Sequence, residues 1–174
     1  MTARQFRALA KRLLVGSNPR RTLLRAALLG LLTFLVMRFV LIPVRIRGVS
    51  MEPTYRDGNL QFVNLLAYKF REPQRGDIVV ISMTGRRALY LKRVLGLPGE
   101  RIAFRDGQLL VNGEPEQEPY LKDRADWTVA EMTVGDGEYY VAGDNRSIRW
   151  EHHSMGIVER RKILGSVVGR AAHP

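Results

Sequence analysis

The chain has 174 residues, no cysteine, and 28 Lys and Arg against 17 Asp and Glu. Without cysteine there is no disulfide framework and no thiol nucleophile. The positive excess sits at one end: residues 1–51 hold ten basic residues and no acid, and the remainder is almost neutral, with eighteen basic against seventeen acidic. A pI near 10.7 suggests nucleic acid, but that distribution assigns the excess to a membrane end instead.

Residues 1–25 read as a basic tail, with Arg4, Arg7, Lys11, Arg12, Arg20, Arg21 and Arg25. From Ala26 to Val44 the chain runs AALLGLLTFLVMRFVLIPV, with Arg38 as its one charge. About twenty apolar residues cross a hydrocarbon core of roughly 30 Å. Arg38 lies in the last third, where a long side chain snorkels to the interface. A cleaved secretory signal also begins basic and then apolar, but needs a shorter core and a small-x-small site after it. Here Arg45-Ile46-Arg47 follows, so a retained anchor over 26–44 is the expectation. Seven of the ten basic residues precede the run, which by the positive-inside rule puts the N-terminus in the cytoplasm and residues 45–174 outside. Arg20-Arg21-Thr22-Leu23-Leu24 has a faint likeness to a twin-arginine signal, but reads as topology charge.

The exported part is large enough for one domain with its own core. Short β-branched and aromatic runs mark strands at Asp77–Ile81, Ala88–Leu91, Gln108–Val111 and Tyr139–Ala142. Turn signals separate them, and Asp106-Gly107 and Asn112-Gly113 predict tight hairpins. The stretch from Asn64 to Phe70 reads as a short helical turn. The expected fold is mostly antiparallel β, sheet or barrel-like, behind one transmembrane helix.

Ser50 opens the run Ser50-Met51-Glu52-Pro53-Thr54 just past the apolar segment. A hydroxyl held beside its own anchor suits cleavage of a peptide as it leaves the bilayer. A serine nucleophile needs a base within hydrogen-bond reach. His152, His153 and His173 leave a Ser-His-Asp triad conceivable, though no G-x-S-x-G elbow supports it. Lys92 is the better candidate. Alternation along a strand places it on one face with Tyr90 and Val94 and turns Arg93 the other way. An ammonium among apolar neighbours loses hydration, and neutral amine becomes available to accept a proton. By composition alone, Lys92 is an ordinary surface lysine.

Other patterns carry less. Glu151-His152-His153 could bind metal, but consecutive ligands on a strand alternate faces and no third partner is evident. Arg75-Gly76-Asp77 spells an adhesion tripeptide yet fits a turn before a strand. Asn145-Arg146-Ser147 is a glycosylation sequon by spelling only, and Gly96-Leu97-Pro98-Gly99 reads as a turn. Trp127 and Trp150 suit either the membrane interface or a solvent loop. No motif calls for a metal or a cofactor.

Resemblance sharpens this reading. Ser50-Met51-Glu52-Pro53-Thr54 resembles the nucleophile box of the type I signal peptidases, and Arg75-Gly76-Asp77-Ile78-Val79 their third box. Leu91-Lys92-Arg93-Val94-Leu95-Gly96-Leu97-Pro98-Gly99-Glu100 is similar to their lysine box nearly residue for residue. Val141-Ala142-Gly143-Asp144-Asn145-Arg146 resembles the start of the last box. The resemblance runs from the anchor to about Arg170. It implies Ser50 as nucleophile and Lys92 as general base, then general acid. It implies an oxyanion hole from the Ser50 N–H, with Gly48 standing where some members carry a second donor. It implies a shallow pocket for small residues, Ala-x-Ala-like, at Met51, Tyr55, Tyr90 and Leu91. The implied partners are signal-peptide-bearing preproteins and the lipid bilayer, and the implied location is a bacterial inner membrane.

The last box departs from the family. Where Ser-x-Asp-Ser-Arg is usual after Gly-Asp-Asn-Arg, this chain has Arg149 in place of the serine, Glu151 of the aspartate and His153 of the arginine. Asp144 and Asn145 are expected to support the site; either Ser147 orients Lys92 in the serine's stead or the site manages differently, and a Glu151–His153 pair could replace the Asp–Arg brace, more weakly. A self-cleaving repressor-type protease shares this chemistry but would carry a DNA-binding domain and no span. A degenerate or specialised signal-peptidase-like membrane protein is the alternative that the altered box leaves open.

Overall fold

The computed structural model describes residues 18–82, 89–153 and 156–169. The chain divides at residue 40 into two units.

Among the described residues the first unit holds one helix, α1, Pro19–Phe39. Asn18 caps it, its side chain accepting from the Arg21 N–H at 3.4 Å. Pro19 fills the first position, where a missing N–H costs nothing. None of its side chains is buried, and it is long and apolar enough to cross a membrane. The apolar run was expected to form helix over 26–44. The helix instead begins at the Asn18-Pro19 start signal and ends at Phe39, while Leu41–Val44 are extended. Pro43 explains the early end: in a continuing helix its ring would meet the carbonyl of Phe39, four residues back.

The described residues of the second unit form eleven strands, each described ladder antiparallel. They are β1 Leu41–Arg45, β2 Leu60–Asn64, β3 Ile78–Ser82, β4 Leu89–Gly96, β5 Arg101–Arg105, β6 Gln108–Val111, β7 Glu114–Pro115, β8 Val129–Thr133, β9 Glu138–Ala142, β10 Gly156–Glu159 and β11 Ile163–Val167. A seven-stranded sheet has the order β1-β2-β11-β3-β4-β9-β10 and a four-stranded one the order β7-β6-β5-β8. Pro43 lies on the edge strand β1, where a lost ladder donor is tolerated. The small sheet is an insertion between β4 and β9, which are neighbours in the large one.

All four predicted strands form, with ends shifted by a residue or more in places. Asp106-Gly107 and Asn112-Gly113 have positive φ at both residues and close β5–β6 and β6–β7, as their sequence predicts. Within Asn64–Phe70, Asn64 ends β2 and residues 65–70 are turns and bends, with Ala67 N–H donating to Asn64 O at 3.4 Å and Lys69 N–H to Leu66 O at 3.1 Å. β3 alternates between two cores: Val79 and Ile81 pack with Val94, Val141 and Ile163, and Val80 packs with Met51, Val63 and Leu91. The large sheet is therefore covered on both faces at its centre. A third core fills the space toward the small sheet, where Leu95, Tyr140 and Ala142 meet Phe104, Leu109 and Trp127. Trp127, on the loop before β8, is thus a core residue rather than an interfacial or solvent-exposed one, its indole N–H donating to the Ile148 carbonyl at 2.8 Å.

Phe104 stands edge-on to Trp127, 5.5 Å between ring centres, and is nearly fully buried. Phe104→Ala is expected to destabilise the chain by about 3–5 kcal/mol, whereas Phe70→Ala, at 93% exposure, should stay within about 0.5 kcal/mol. Denaturant midpoints of the two detergent-solubilised variants decide this.

Candidate active site

Ser50 lies in the loop that joins β1 to β2, and two sets of contacts fix it. Its neighbour Met51 is an anchor, buried with Tyr55, Ile46, Val63, Val80, Leu91 and Val167. The turn closes on itself through Glu52 N–H to Val49 O at 3.1 Å and Tyr55 N–H to Met51 O at 2.9 Å. From the far side, the segment after β9 clamps it. Asn145 donates its backbone N–H to Ser50 O at 3.0 Å and its side-chain amide to Val49 O at 3.1 Å. Gly143 permits that approach, since a Cβ there would overlap the Ser50 carbonyl oxygen and the His153 ring.

Lys92 is on β4, in register with Val79 of β3. Its face of the strand runs from Tyr90, 42% exposed, to Val94, fully buried; Lys92 between them is 3% exposed. The Nζ lies 3.2 Å from Ser50 Oγ. Burial lowers its pKa to about 8, against the opposing pull of the Asp144 carboxylate. An amine so placed sheds its proton far more readily than a surface lysine, which makes it a base at neutral to mildly alkaline pH.

Arg93, the next residue on β4, points to the other side and forms a buried, two-pronged pair with Asp144, at 2.8 and 2.6 Å. Thr54 donates its hydroxyl to the same carboxylate. The Arg93 guanidinium also donates to Gly76 O at 2.9 Å and stacks 3.8 Å over the Tyr120 ring. Behind it, Tyr120 donates to Glu118 at 2.6 Å, and Arg146 pairs with Glu118 at 2.6 Å while donating to Gly143 O at 2.9 Å. Two buried ion pairs therefore brace the Gly143–Arg146 segment that holds Ser50.

The structure brings together Ser50, Lys92, Asp144, Asn145 and His153. Met51, Tyr55 and Leu91 share one core cluster, with Tyr90 exposed on the same strand as Leu91. Gly48 has φ +91°, and its N–H is taken by Asp57 at 2.7 Å. The Ser50 N–H has no acceptor among the described residues. Ser147 is turned from Lys92: its hydroxyl donates to Asn145 Oδ1 at 2.6 Å. Glu151 does not pair with His153; it lies exposed beside Arg149 at 3.5 Å. His153 is buried, with Nε2 3.1 Å from Asn145 O. An isolated carboxylate is cheaper in water beside an arginine than buried against a neutral imidazole.

Sequence reasoning missed Thr54, Arg93, Glu118, Tyr120 and Arg146 as parts of the brace. Arg93 was legible in part, because a charge facing away from Lys92 on a central strand needs a buried partner. Glu118 and Tyr120 gave no signal beyond their place in a motif.

A serine hydroxyl 3.2 Å from a buried amine, in a β unit that follows an apolar helix along the chain, is suited to the chemistry of a serine hydrolase. The chain matches the family described as Signal peptidase, peptidase S26 over residues 20–171, and it belongs to that family of peptidases. It is 32% identical to signal peptidase IB of Staphylococcus aureus, over 77% of this chain and 79% of that protein. It is 34% identical to signal peptidase I V of Bacillus subtilis, over 76% and 86%. Among solved structures, a signal peptidase I from Enterococcus faecalis is 32% identical, covers 55% of this chain and 97% of its own, and superposes with a TM-score of 0.44.

Asp144→Ala would leave Arg93 charged, buried and unpaired. The expected loss is about 3–5 kcal/mol of stability, together with a loosened Ser50 loop. Thermal unfolding beside Lys122→Ala, a surface control, measures it.

Proposed function

We propose that this chain is a membrane-anchored serine endopeptidase that removes N-terminal signal peptides from exported preproteins. The observation that carries the reading is the 3.2 Å contact between Ser50 Oγ and a Lys92 amine that is almost wholly out of water. Ser50 Oγ attacks the scissile carbonyl carbon while its proton passes to Lys92 Nζ. The developing oxyanion is received by the free Ser50 N–H; a single well-placed donor of this type contributes about 3–4 kcal/mol. Collapse of the tetrahedral intermediate breaks the C–N bond, and Lys92 returns the proton to the departing amine of the mature protein. Water, deprotonated by Lys92, then hydrolyses the acyl-enzyme and restores Ser50.

The residues nearest the scissile bond meet Met51, Tyr55 and Leu91, with Tyr90 at the open end of the strand. Little room remains among these large side chains, which favours small residues before the cut, in an Ala-x-Ala-like pattern. α1 serves as the anchor, with the basic residues 1–25 in the cytoplasm and residues 45–174 on the extracytoplasmic side of a bacterial inner membrane. The bilayer then presents the substrate: a signal peptide enters from the same membrane that holds the enzyme.

Cleavage of an Ala-x-Ala preprotein by the detergent-solubilised chain tests this. Ser50→Ala and Lys92→Met should each abolish product at the predicted bond and keep the β circular-dichroism signature; full turnover by Lys92→Met would rule out the dyad. Because the base must be uncharged, the rate should be highest above pH 8. It should fall as pH drops through about 8, close to tenfold per unit below that point. A rate indifferent to pH between 6 and 9 would be incompatible with Lys92 as base.

A further inference from the structure

Among the described residues, His153 Nδ1 is the one buried side-chain nitrogen or oxygen without a hydrogen-bond partner. The ring is 8% exposed, stands edge-on to Trp127 with 4.8 Å between centres, and packs on Gly143 beside the Ser50 carbonyl. Its other nitrogen faces the Asn145 carbonyl at 3.1 Å. A carbonyl only accepts, so Nε2 carries the proton and Nδ1 presents a bare lone pair. Leaving such an acceptor buried and unused forfeits its solvation without a hydrogen bond in return.

Lys92 and the His153 ring meet the same loop: Lys92 Nζ is 3.2 Å from Ser50 Oγ, and the ring packs on Gly143 against the Ser50 carbonyl. The charge of Lys92 acts on the ring and, after burial itself and together with Arg146, holds the imidazole down to about 4. His153 is therefore neutral wherever Lys92 can work. The amine has a complementary need. To take the Ser50 proton its lone pair must face Oγ, so its hydrogens must be held elsewhere. Ser50 is its hydrogen-bond partner among the described residues, and Ser147 is committed to Asn145.

We propose that His153 is the positioning residue for Lys92: its Nδ1 accepts an N–H of the Lys92 amine across a bridging water and so aims the amine's lone pair at Ser50 Oγ. The same ring, through Nε2–H, holds the Asn145 carbonyl, while the Asn145 N–H holds Ser50. One side chain thus ties the base to the nucleophile loop, in a chain whose last motif lacks the family's usual residues. The assignment rests on the Ser–Lys reading of the function, and Asp144 and Arg146 are the other charges that face this pair.

Two experiments on the detergent-solubilised full chain test it. In the first, the ¹⁵N shift of His153 Nδ1 is compared between the parent and Lys92→Met. The parent should show a hydrogen-bonded acceptor that moves toward the free-nitrogen value when Lys92 is gone; identical shifts overturn the proposal, whether or not any preprotein is cut. In the second, His153→Gln keeps an amide donor toward Asn145 O and lacks the ring acceptor. Its kcat should fall about tenfold or more from misalignment at unchanged KM. Its acidic limb should move to lower pH, because an acceptor for the ammonium has been lost. A lower kcat with an unmoved limb indicates scaffolding alone and overturns the proposal, as does parent-like behaviour. A parent that responds in the ¹⁵N comparison yet cuts nothing keeps the contact and sinks the peptidase reading.

Discussion

The site depends on keeping one amine out of water. A lysine at the surface holds its proton far too tightly to serve as a base, and the fold removes its hydration by placing it on β4, at the centre of a sheet packed on both faces. The same strand must then dispose of the next side chain, Arg93, which cannot lose its charge. Asp144 meets it in a buried pair, and that pair fixes the segment that clamps Ser50. The dry amine, the ion pair and the clamped Ser50 loop are consequences of one packing arrangement.

That arrangement separates the chemistry from the charge it needs nearby. Asp144 raises the proton affinity of Lys92, and burial lowers it further than Asp144 can restore. Arg93 consumes both carboxylate oxygens, which limits their hold on the amine. The second pair, Arg146 with Glu118, lies one layer back and reaches the site through the backbone of Gly143 and through the charge that Arg146 presents to His153. Such pairs contribute little net stability compared with apolar packing; their use here is orientation.

Much of this was readable in the residues. Ser50 and Lys92 stood in ordered motifs behind an apolar run, β3 was written as an almost unbroken β-branched stretch, and β9 as an aromatic and β-branched one. Asn-Gly and Asp-Gly named their own turns. The helix limits were misjudged because hydropathy was followed past Pro43, although the Asn18-Pro19 and Pro43 signals were both present. The support of the site was harder to see. Glu118 meets Arg146, 28 residues away, only because the inserted sheet folds back over the large one. Likewise, Ser147 and Glu151 sat at motif positions, but their partners were decided by local geometry: a short serine beside Asn145, and a carboxylate left in water beside Arg149.

The order of elements along the chain has a temporal meaning. The nucleophile loop near residue 50 is held by Asn145, 96 residues further on from Val49, and Lys92 is enclosed only when β9 pairs with β4. A chain of only its first hundred residues has Ser50 and Lys92 but lacks the segment that brings them together. The 3.2 Å contact between them is therefore a property of the finished fold, made only once the last strands are in place.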